Sequence, residues 1–313
     1  MIVALVVLTL LLFLGAFFVV LYAVYRVAFG SPSPGQNDIH RILKTDQYEE
    51  QREKMLYWID ELNRLPFEQV YITSYDGLQL AARYYHRKDG APLDIAVHGY
   101  RGTALRDFCG GTPLSLKCGH NVLLVDQRAH SLSEGNTITF GIKERYDCLY
   151  WAHYAKERFG AETAVFLYGI SMGATTVLMA AGLPQLPDTV KGVVADCPYS
   201  SPKAIIQKVC RDMHYPPRLT WPFVALAARL FGGFSPTADD AVRAVKRAKV
   251  PILLLHGEED RFVPCGMSEE IQKARADRVA RVTFPRAGHG LCYPIDGVRY
   301  EQTVCDFVKQ CLG

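Results

Sequence analysis

The 313-residue sequence has no long run of lysine or arginine, and its formal net charge is only +3. Binding to nucleic acid requires a concentrated basic patch, so no nucleic-acid partner is predicted. The nine cysteines are scattered, with no C-x-x-C pair and no cysteine–histidine cluster at zinc-finger spacing. They are interpreted as free, mostly buried thiols of a reducing compartment, and no metal site is predicted. The sequence contains no internal repeat.

The first 25 residues also lack charged side chains, and the first charged side chain is that of Arg26. As a helix this stretch reaches roughly 36 Å, enough to cross a hydrocarbon core of about 30 Å. Tyr22 and Tyr25 lie at one end, where an aromatic belt is expected. The alternative is a cleaved signal peptide, but the apolar stretch is longer than a signal's apolar region and no basic residue precedes it. Residues 1–29 are predicted to be an uncleaved, single-pass membrane anchor.

The segment SPSPGQND (31–38) is predicted to be a linker, because proline and glycine interrupt a helix. The apolar spacing from Ile39 to Leu62 then predicts an amphipathic helix. This pattern is compatible both with packing on the following domain and with lying on the membrane surface. Residues 30–64 are therefore assigned to the linker and this helix, and residues 65–313 to one domain.

Strand-like and helix-like patterns alternate through that domain. Two alternating runs joined at Asp76-Gly77 predict a hairpin over 68–85. Short apolar runs, typical of buried strands, follow at 93–98, 121–126, 163–168, 190–196, 251–256 and 280–284. Helical patterns occupy 103–118, 142–159, 172–183, 267–277 and 297–311. The alternation predicts an α/β fold with a mostly parallel sheet covered on both faces, whose sites form at the carboxyl ends of the strands.

A candidate nucleophile follows one of these strands. The run AVFLY is followed directly by Gly169-Ile-Ser-Met-Gly173, a G-x-S-x-G pattern. Small residues on both sides of Ser171 suit a sharp strand-to-helix turn that exposes the serine hydroxyl. A competing nucleophile, Cys197 after VVAD, lacks such flanking glycines. The G-x-S-x-G pattern also occurs by chance. It indicates a catalytic site only if residues at the ends of other strands supply the remaining catalytic groups.

A serine nucleophile needs a base, a group that orients the base, and donors for the oxyanion. The strand ARVTF leads into PRAGHG, which places His289 in a glycine-rich turn as a candidate base. The strand PILLLH leads into GEEDRFVP, whose Asp260, Glu258 and Glu259 are all candidates for the orienting acid.

The strand LDIAVH leads into HGYRG (98–102), where glycines allow the backbone to approach a ligand closely. The N–H groups of Tyr100 and Met172 are the predicted oxyanion donors. Of two further histidines, His98 is interpreted as a buried hydrogen-bonding residue, and His130 as either structural or at the rim of the pocket.

Taken in order, HGYRG, GISMG, HGEEDRFVP and AGHG resemble the α/β-hydrolase superfamily, over roughly residues 65–313. The loop DQRAHSLSEG (126–135) resembles the segment that follows the fourth strand in that superfamily. More narrowly, the chain is similar to bacterial membrane-anchored hydrolases related to serine aminopeptidases and monoacylglycerol lipases. The resemblance implies that Ser171 is the nucleophile, His289 the base and Asp260 the acid.

An insertion of about 50 residues, 199–248, precedes the strand PILLLH and is predicted to form a short helical lid over the site. Its stretch YPPRLTWPFVALAARLFGGF is apolar and interrupted by prolines. Trp221, Phe223 and Phe231 are interpreted either as lining an acyl pocket or as capping the core. The insertion has few acids to hold the amino terminus of a peptide, which favours esters over aminopeptidase substrates.

The sequence thus predicts a serine hydrolase that cleaves a small-molecule carboxylic ester, acyl or lipid-like, through an acyl-enzyme and without a cofactor. A serine peptidase or aminopeptidase is the alternative, and a non-catalytic membrane-tethered protein that keeps the fold is a second. After the apolar stretch come Arg26, Arg41 and Lys44. Basic residues favour the cytoplasmic face of a membrane. The catalytic domain is therefore expected on that side.

Overall fold

The computed structural model describes residues 1–32 and 37–313, so the middle of the predicted linker, 33–36, lies outside the described residues. The strands found in the described ranges are β1 (Glu68–Thr73), β2 (Gln79–Tyr85), β3 (Leu93–Val97), β4 (Asn121–Val125), β5 (Val165–Ile170), β6 (Val190–Asp196), β7 (Ile252–Gly257) and β8 (Val279–Phe284). They form one sheet in the order β1-β2-β4-β3-β5-β6-β7-β8. Only β2 runs antiparallel to its neighbours within this sheet, which confirms the predicted mostly parallel arrangement.

The helices found in the same ranges are α1 (Ile2–Phe29), α2 (Asp46–Glu49), α3 (Arg52–Arg64), α4 (Ala104–Asp107), α5 (Gly111–Lys117), α6 (Glu144–Phe159), α7 (Met172–Ala181), α8 (Pro202–Asp212), α9 (Pro217–Gly232), α10 (Ala241–Arg247), α11 (Gly266–Ala274), α12 (Cys292–Ile295) and α13 (Gly297–Leu312). Helices α6, α7, α10 and α11 cover one face of the sheet. The other face is covered mainly by α4, α5, α12 and α13, so each face has its own apolar core.

The burial of the strands explains this layering. Every residue of β3 (LDIAV) and β4 (NVLLV) is buried, as expected for central strands with helices on both sides. In the edge strand β1 only Val70 is buried, and the other five residues are exposed or half-buried. Its turn into β2 is made at Gly77, whose φ of 87° suits glycine, and the Ser74 N–H donates to the Leu78 carbonyl at 2.8 Å.

The helix found in this region is shorter than the amphipathic helix predicted from Ile39 to Leu62. Instead of running from Ile39, the regular helix α3 begins at Arg52, preceded by the single turn α2. The intervening chain is held by the domain: the Arg41 carbonyl accepts a hydrogen bond from Arg106 Nη1 at 2.9 Å, and Ile42 is buried. Ile42 is therefore apolar because it packs against the domain, and not because it belongs to an amphipathic helix.

The N-terminal helix α1 is one apolar helix that is long enough to cross a membrane, and most of its first 20 residues are exposed. Its last turns are part of the fold. Leu21, Tyr25 and Phe29 are buried against α9 and the loop before α6. Gly30 pairs with Thr137 in an antiparallel bridge, and the Ile138 N–H donates to the Phe29 carbonyl at 2.7 Å. The end of α1 is thus built into the domain.

The insertion between β6 and β7 consists of α8, α9 and α10. Only the first two behave as an added cap, because α10 buries Ala241, Ala244 and Val245 beside α7 on the sheet. Helix α9 packs along α1. Because α9 packs along α1, the rings of Phe223 and Phe231 lie beside aromatic rings of α1.

Candidate active site

Ser171 lies at the turn between β5 and α7, with φ 55° and ψ −114°. A non-glycine residue rarely adopts a positive φ, and such strain is concentrated at functional sites. The turn is tight enough to require its glycines. A β-carbon at Gly173 would lie 1.8 Å from the Val97 carbonyl oxygen, and one at Gly169 would lie 2.3 Å from the Gly173 oxygen. The backbone therefore holds the Ser171 hydroxyl at the end of the strand.

His289, in the loop after β8, contacts this hydroxyl. Its Nε2 lies 2.9 Å from Ser171 Oγ, and its Nδ1 lies 2.7 Å from Asp260 Oδ2. Nδ1–H donates to the carboxylate, which leaves Nε2 free to accept the serine proton. The ends of β5, β7 and β8 thus bring together the three residues that the sequence singled out.

Asp260 is fixed by its own loop. Its Oδ1 accepts the N–H groups of Phe262 and Val263 at 2.9 and 2.7 Å. Burial alone raises the pKa of this carboxyl, but the charge of His289 and hydrogen bonds from His256 and His289 outweigh it, so the pKa lies well below its usual range. Asp260 is therefore ionised and suited to hold the Nδ1–H tautomer of His289.

The two neighbouring glutamates do not reach the histidine. Glu258 and Glu259 are exposed, and Glu258 Oε1 accepts a hydrogen bond from Thr283 Oγ1 at 2.7 Å. Of the three acids in the GEED stretch, only Asp260 contacts His289 in the described structure.

The predicted oxyanion donors lie beside Ser171. Among the described residues, the N–H groups of Tyr100 and Met172 have no hydrogen-bond partner. Met172 is the first residue of α7, where backbone N–H groups lack an intrahelical acceptor and attract negative charge. Both are therefore available to a ligand oxygen.

The loop that carries Tyr100 is held on both sides. The Gly99 N–H donates to Asp107 Oδ2 at 2.8 Å, and the Arg101 N–H donates to His130 Nε2 at 3.1 Å. Burial lowers the pKa of His130 well below its usual range, so its ring is neutral and Nε2 can accept. The pKa of His98 is lowered by burial as well, and its Nε2 accepts the Gln127 N–H at 3.1 Å. Both rings are buried and hydrogen-bonded, as the sequence predicted for His98, and His130 follows the structural interpretation of its two. Nothing in the sequence indicated the role of Asp107.

A cavity of about 710 Å³ opens over the serine. It is lined by Arg41, Leu43, Thr45, Asp46, Gln47, Tyr48, Met55, Gly99, Tyr100, Arg101, Arg106, Asp107, Ile170, Ser171, Arg261, Phe262, His289 and Gly290. One wall is an N-terminal strap, residues 41–48, that crosses the histidine loop. Tyr48 Oη donates to the His289 carbonyl at 2.7 Å, and a β-carbon at Gly288 would lie 2.2 Å from Gln47 Oε1. Sequence reasoning missed this strap, since its residues carry no motif.

Trp221, Phe223 and Phe231 are absent from the lining of this cavity, which corrects the interpretation of these residues as an acyl pocket. The Phe223 ring lies 6.2 Å from the ring of Phe17, and Phe231 lies 5.4 Å from Tyr22. Lys203 Nζ lies over the Trp221 ring. The rings of Phe223 and Phe231 therefore lie beside α1, a partner that periodicity cannot identify.

Cys197, Asp260 and His289 place one donor atom each within 4.8 Å of one another. Their chemistry does not fit a metal centre. Burial, reinforced by Asp196, raises the pKa of the Cys197 thiol well above its usual value, and the other two are hydrogen-bonded to each other. Asp260 and His289 are instead held by their contacts with each other and with Ser171.

The sheet order, the serine turn and the loops at the strand ends define an α/β hydrolase. Residues 137–313 match the model of the prolyl oligopeptidase family, Peptidase_S9, and this is more than half of the chain. The chain belongs to this family and has the α/β-hydrolase fold.

Three known proteins show the extent of the similarity. The uncharacterized protein YqkD of Bacillus subtilis (strain 168) is 25% identical over 199 residues, 62% of this chain and 64% of that protein. Human Protein ABHD12B is 26% identical over 223 residues, 63% of this chain and 55% of that protein, so the chain spans less than two thirds of either relative. The Pyrococcus furiosus esterase PF2001 superposes with a TM-score of 0.66 at 22% identity, covering 81% of this chain and 94% of that structure.

Proposed function

We propose that the protein is an esterase that hydrolyses a carboxylic ester through an acyl-enzyme on Ser171. The observation that carries this proposal is the continuous set of contacts from Asp260 through His289 to Ser171, beside the unpartnered N–H groups of Tyr100 and Met172. Each group that acyl transfer from an ester requires has a residue in place. The chemistry needs no cofactor.

In the first step His289 Nε2 accepts the hydroxyl proton while Ser171 Oγ attacks the ester carbonyl carbon. The N–H groups of Tyr100 and Met172 stabilise the negative charge on the former carbonyl oxygen. Asp260 stabilises the imidazolium. Collapse of the intermediate breaks the bond to the alcohol, which takes the proton from His289 and leaves.

The second step reverses these roles with water. His289 takes a proton from a water molecule, whose oxygen attacks the acyl carbon bound to Ser171. Collapse of the second intermediate breaks the bond to Oγ, and His289 returns the proton to the serine. The products are one carboxylic acid and one alcohol, and the enzyme is regenerated.

The charge of the cavity favours esters over aminopeptidase substrates. Its lining holds four arginines, Arg41, Arg101, Arg106 and Arg261, against two acids, Asp46 and Asp107. Asp107 already accepts from the Gly99 N–H and from Arg106 Nε. A peptide's terminal ammonium group would meet net positive charge there, whereas the apolar side chains Leu43, Met55 and Phe262 suit an acyl or aryl group.

Peptide hydrolysis is the second candidate, because the family is named for oligopeptidases. A panel of p-nitrophenyl esters of graded acyl length, assayed beside aminoacyl anilides, separates the two. Ester hydrolysis with little anilide hydrolysis supports the proposal, and the reverse supports a peptidase. Turnover of neither, with no labelling by a fluorophosphonate probe, would indicate a binding protein that retains the fold. Ser235→Ala, on the insertion and away from the cavity, is the matched control for Ser171→Ala.

We further propose that residues 1–29 remain attached as a membrane anchor, with the catalytic domain on the cytoplasmic side. The burial of Leu21, Tyr25 and Phe29 in the domain supports retention, since cleavage after residue 30 would remove core side chains. The positions of Arg26, Arg41 and Lys44 support the side. Protease added to spheroplasts carrying a C-terminal tag should leave the tag intact until lysis, and digestion without lysis would place the domain outside.

A further inference from the structure

Two thiols on the sheet face covered by α5 and α13 lie in direct contact. Cys118 follows the last residue of α5, Cys305 lies in the middle of α13, and their sulfur atoms are 3.0 Å apart. All nine cysteines fall within the described residues, and there only this pair shows a sulfur–sulfur contact. A disulfide needs its sulfur atoms about 2.05 Å apart, so a movement of roughly 1 Å brings the two within bonding distance.

Both helices are fixed where these thiols meet. The Cys118 N–H donates to the Leu114 carbonyl at 2.9 Å, which closes the last turn of α5. Helix α13 is packed on the domain through the buried side chains of Tyr300, Val304 and Phe307. The contact between the thiols is therefore set by two packed helices.

An ion pair beside the thiols joins the same two helices. Lys117 Nζ lies 3.0 Å from Glu301 Oε2, and Tyr293 Oη donates to Glu301 Oε1 at 3.1 Å. Lys117 directly precedes Cys118, and Glu301 stands four residues before Cys305, on the same side of α13. The ion pair and the thiol pair thus connect α5 and α13 side by side.

Exposure separates this pair from the buried thiols, which are Cys109, Cys148, Cys197 and Cys292. Cys118 is exposed and Cys305 is half-buried, so small oxidants and reductants in solution reach the pair. Partial burial and the neighbouring Cys305 raise the pKa of the Cys118 thiol to about 12. Because the thiolate is the reactive form, Cys118 reacts second, with a sulfur that has already been oxidised.

We propose that Cys118 and Cys305 are a modification site, which a peroxide oxidises to a reversible disulfide between α5 and α13. Peroxide first converts the Cys305 thiol into a sulfenic acid: a sulfur–oxygen bond forms, the oxygen–oxygen bond breaks, and one water leaves. The Cys118 sulfur then attacks the oxidised sulfur. The sulfur–sulfur bond forms, the sulfur–oxygen bond breaks, and the Cys118 proton leaves in a second water. Two electrons pass from the thiols to one peroxide molecule, and a dithiol reductant supplies two electrons to reopen the disulfide.

The disulfide would close a loop across most of the catalytic domain. The two cysteines are 187 positions apart, and the chain between them carries Ser171, Asp260 and His289. Cross-linking so long a segment restricts the unfolded chain and thereby stabilises the folded one. Disulfides of reducing compartments are usually transient and redox-sensing, so a reversible bond agrees with the cytoplasmic side proposed for the domain. The proposal depends neither on that side nor on ester hydrolysis.

The test uses the full chain in detergent, first reduced and then treated with hydrogen peroxide. Trypsin cuts beside both thiols, so each lies on a peptide with a single cysteine, residues 118–128 and 300–309. Mass spectrometry without reduction should find these two peptides joined, and dithiothreitol should release them. Cys210→Ser, at a half-buried cysteine of α8, is the matched control and should leave the cross-link in place.

Thermal unfolding gives an independent measurement. Peroxide should raise the Tm of the native chain and of Cys210→Ser by about 5 to 10 °C, and dithiothreitol should reverse the rise. Cys118→Ser and Cys305→Ser should show no rise, because neither can form the bond.

Peptides 118–128 and 300–309 that stay unlinked after peroxide treatment, with their thiols unmodified or converted to sulfinic acid, would overturn the proposal. A cross-link between two chains, seen as a peroxide-dependent dimer on a non-reducing gel, would overturn it as well. If circular dichroism shows that a serine variant is unfolded, the peptide map of the native chain decides. A chain that forms the disulfide but hydrolyses no ester refutes the proposed function alone.

Discussion

The catalytic loops and the N-terminal half of the cavity are built in different ways. Ser171, Asp260 and His289 each follow a parallel strand, and backbone hydrogen bonds hold their loops: the Ser171 N–H donates to the Asp196 carbonyl at 2.8 Å, and the Glu259 N–H donates to the Ala287 carbonyl at 3.0 Å. The opposite wall comes from the strap 41–48, which is held by side-chain contacts such as Tyr48 Oη to the His289 carbonyl. A backbone-defined centre tolerates almost no substitution, whereas a wall made of side chains can change without loss of the fold. In the proposed mechanism the reacting groups and this wall of the cavity therefore come from separate parts of the chain.

The largest effect is expected at the centre itself. Ser171→Ala should lower kcat by roughly 10⁴ to 10⁶, because the members of a triad act as a unit. A fluorophosphonate probe followed by peptide mapping should label Ser171 in the native chain and nothing in the variant. Unchanged ester turnover by Ser171→Ala would remove the proposed mechanism.

The acid should come next. Asp260→Asn should cost up to about 10⁴ in kcat, because an amide that donates to Nδ1 favours the wrong histidine tautomer. Glu258→Gln and Glu259→Gln, in the same loop, are the matched controls and should change kcat little. The three variants are compared by steady-state kinetics on one short ester. A large loss of kcat in Glu258→Gln or Glu259→Gln would identify that glutamate as the acid in place of Asp260.

The connection between the two regions can be tested at Arg101. Its Nη2 donates to the carbonyls of Arg26, Val27 and Gly30 at 3.3, 3.0 and 3.1 Å, while its backbone adjoins Tyr100. Arg101→Met should lower kcat about tenfold, because the oxyanion loop loses its tie to α1 and small displacements of catalytic donors are costly. Arg229→Met, on α9, is the control. Equal kcat in both variants would mean that the anchor and the oxyanion loop are independent.

The smallest effect is expected on chain-length preference. Leu43→Ala should lower kcat/KM for long acyl esters about threefold relative to acetate, through lost apolar contact in the cavity. Phe231→Ala should reduce both substrates equally, since this ring contacts α1. Selectivity is read from kcat/KM across the p-nitrophenyl series. If only Phe231→Ala lowers kcat/KM more for long than for short acyl esters, the acyl group binds at the insertion and not beside Leu43.

The sequence could predict the sheet and the three strand-end residues because both leave local patterns. Buried parallel strands are short apolar runs, and a serine turn demands glycines at fixed positions such as Gly169 and Gly173. Side-chain partners from distant segments leave no such pattern. The pattern at Phe223 and Phe231 shows that these residues are apolar, but not that their rings lie beside α1, and nothing around Tyr48 indicates a contact with the histidine loop.

The bonds from Arg101 and Tyr100 to the end of α1 have a practical consequence for producing this enzyme in soluble form. Removing everything up to the linker would also remove the Ala28 carbonyl, which Tyr100 Oη contacts at 3.0 Å, and all three carbonyls that Arg101 binds. In such a shortened protein the loop at Tyr100 and Arg101 would lack these hydrogen bonds, and the residues packed against Tyr25 and Phe29 would be exposed to solvent. A shortened chain that starts near Leu21 keeps these partners and is the version in which to measure the proposed ester hydrolysis.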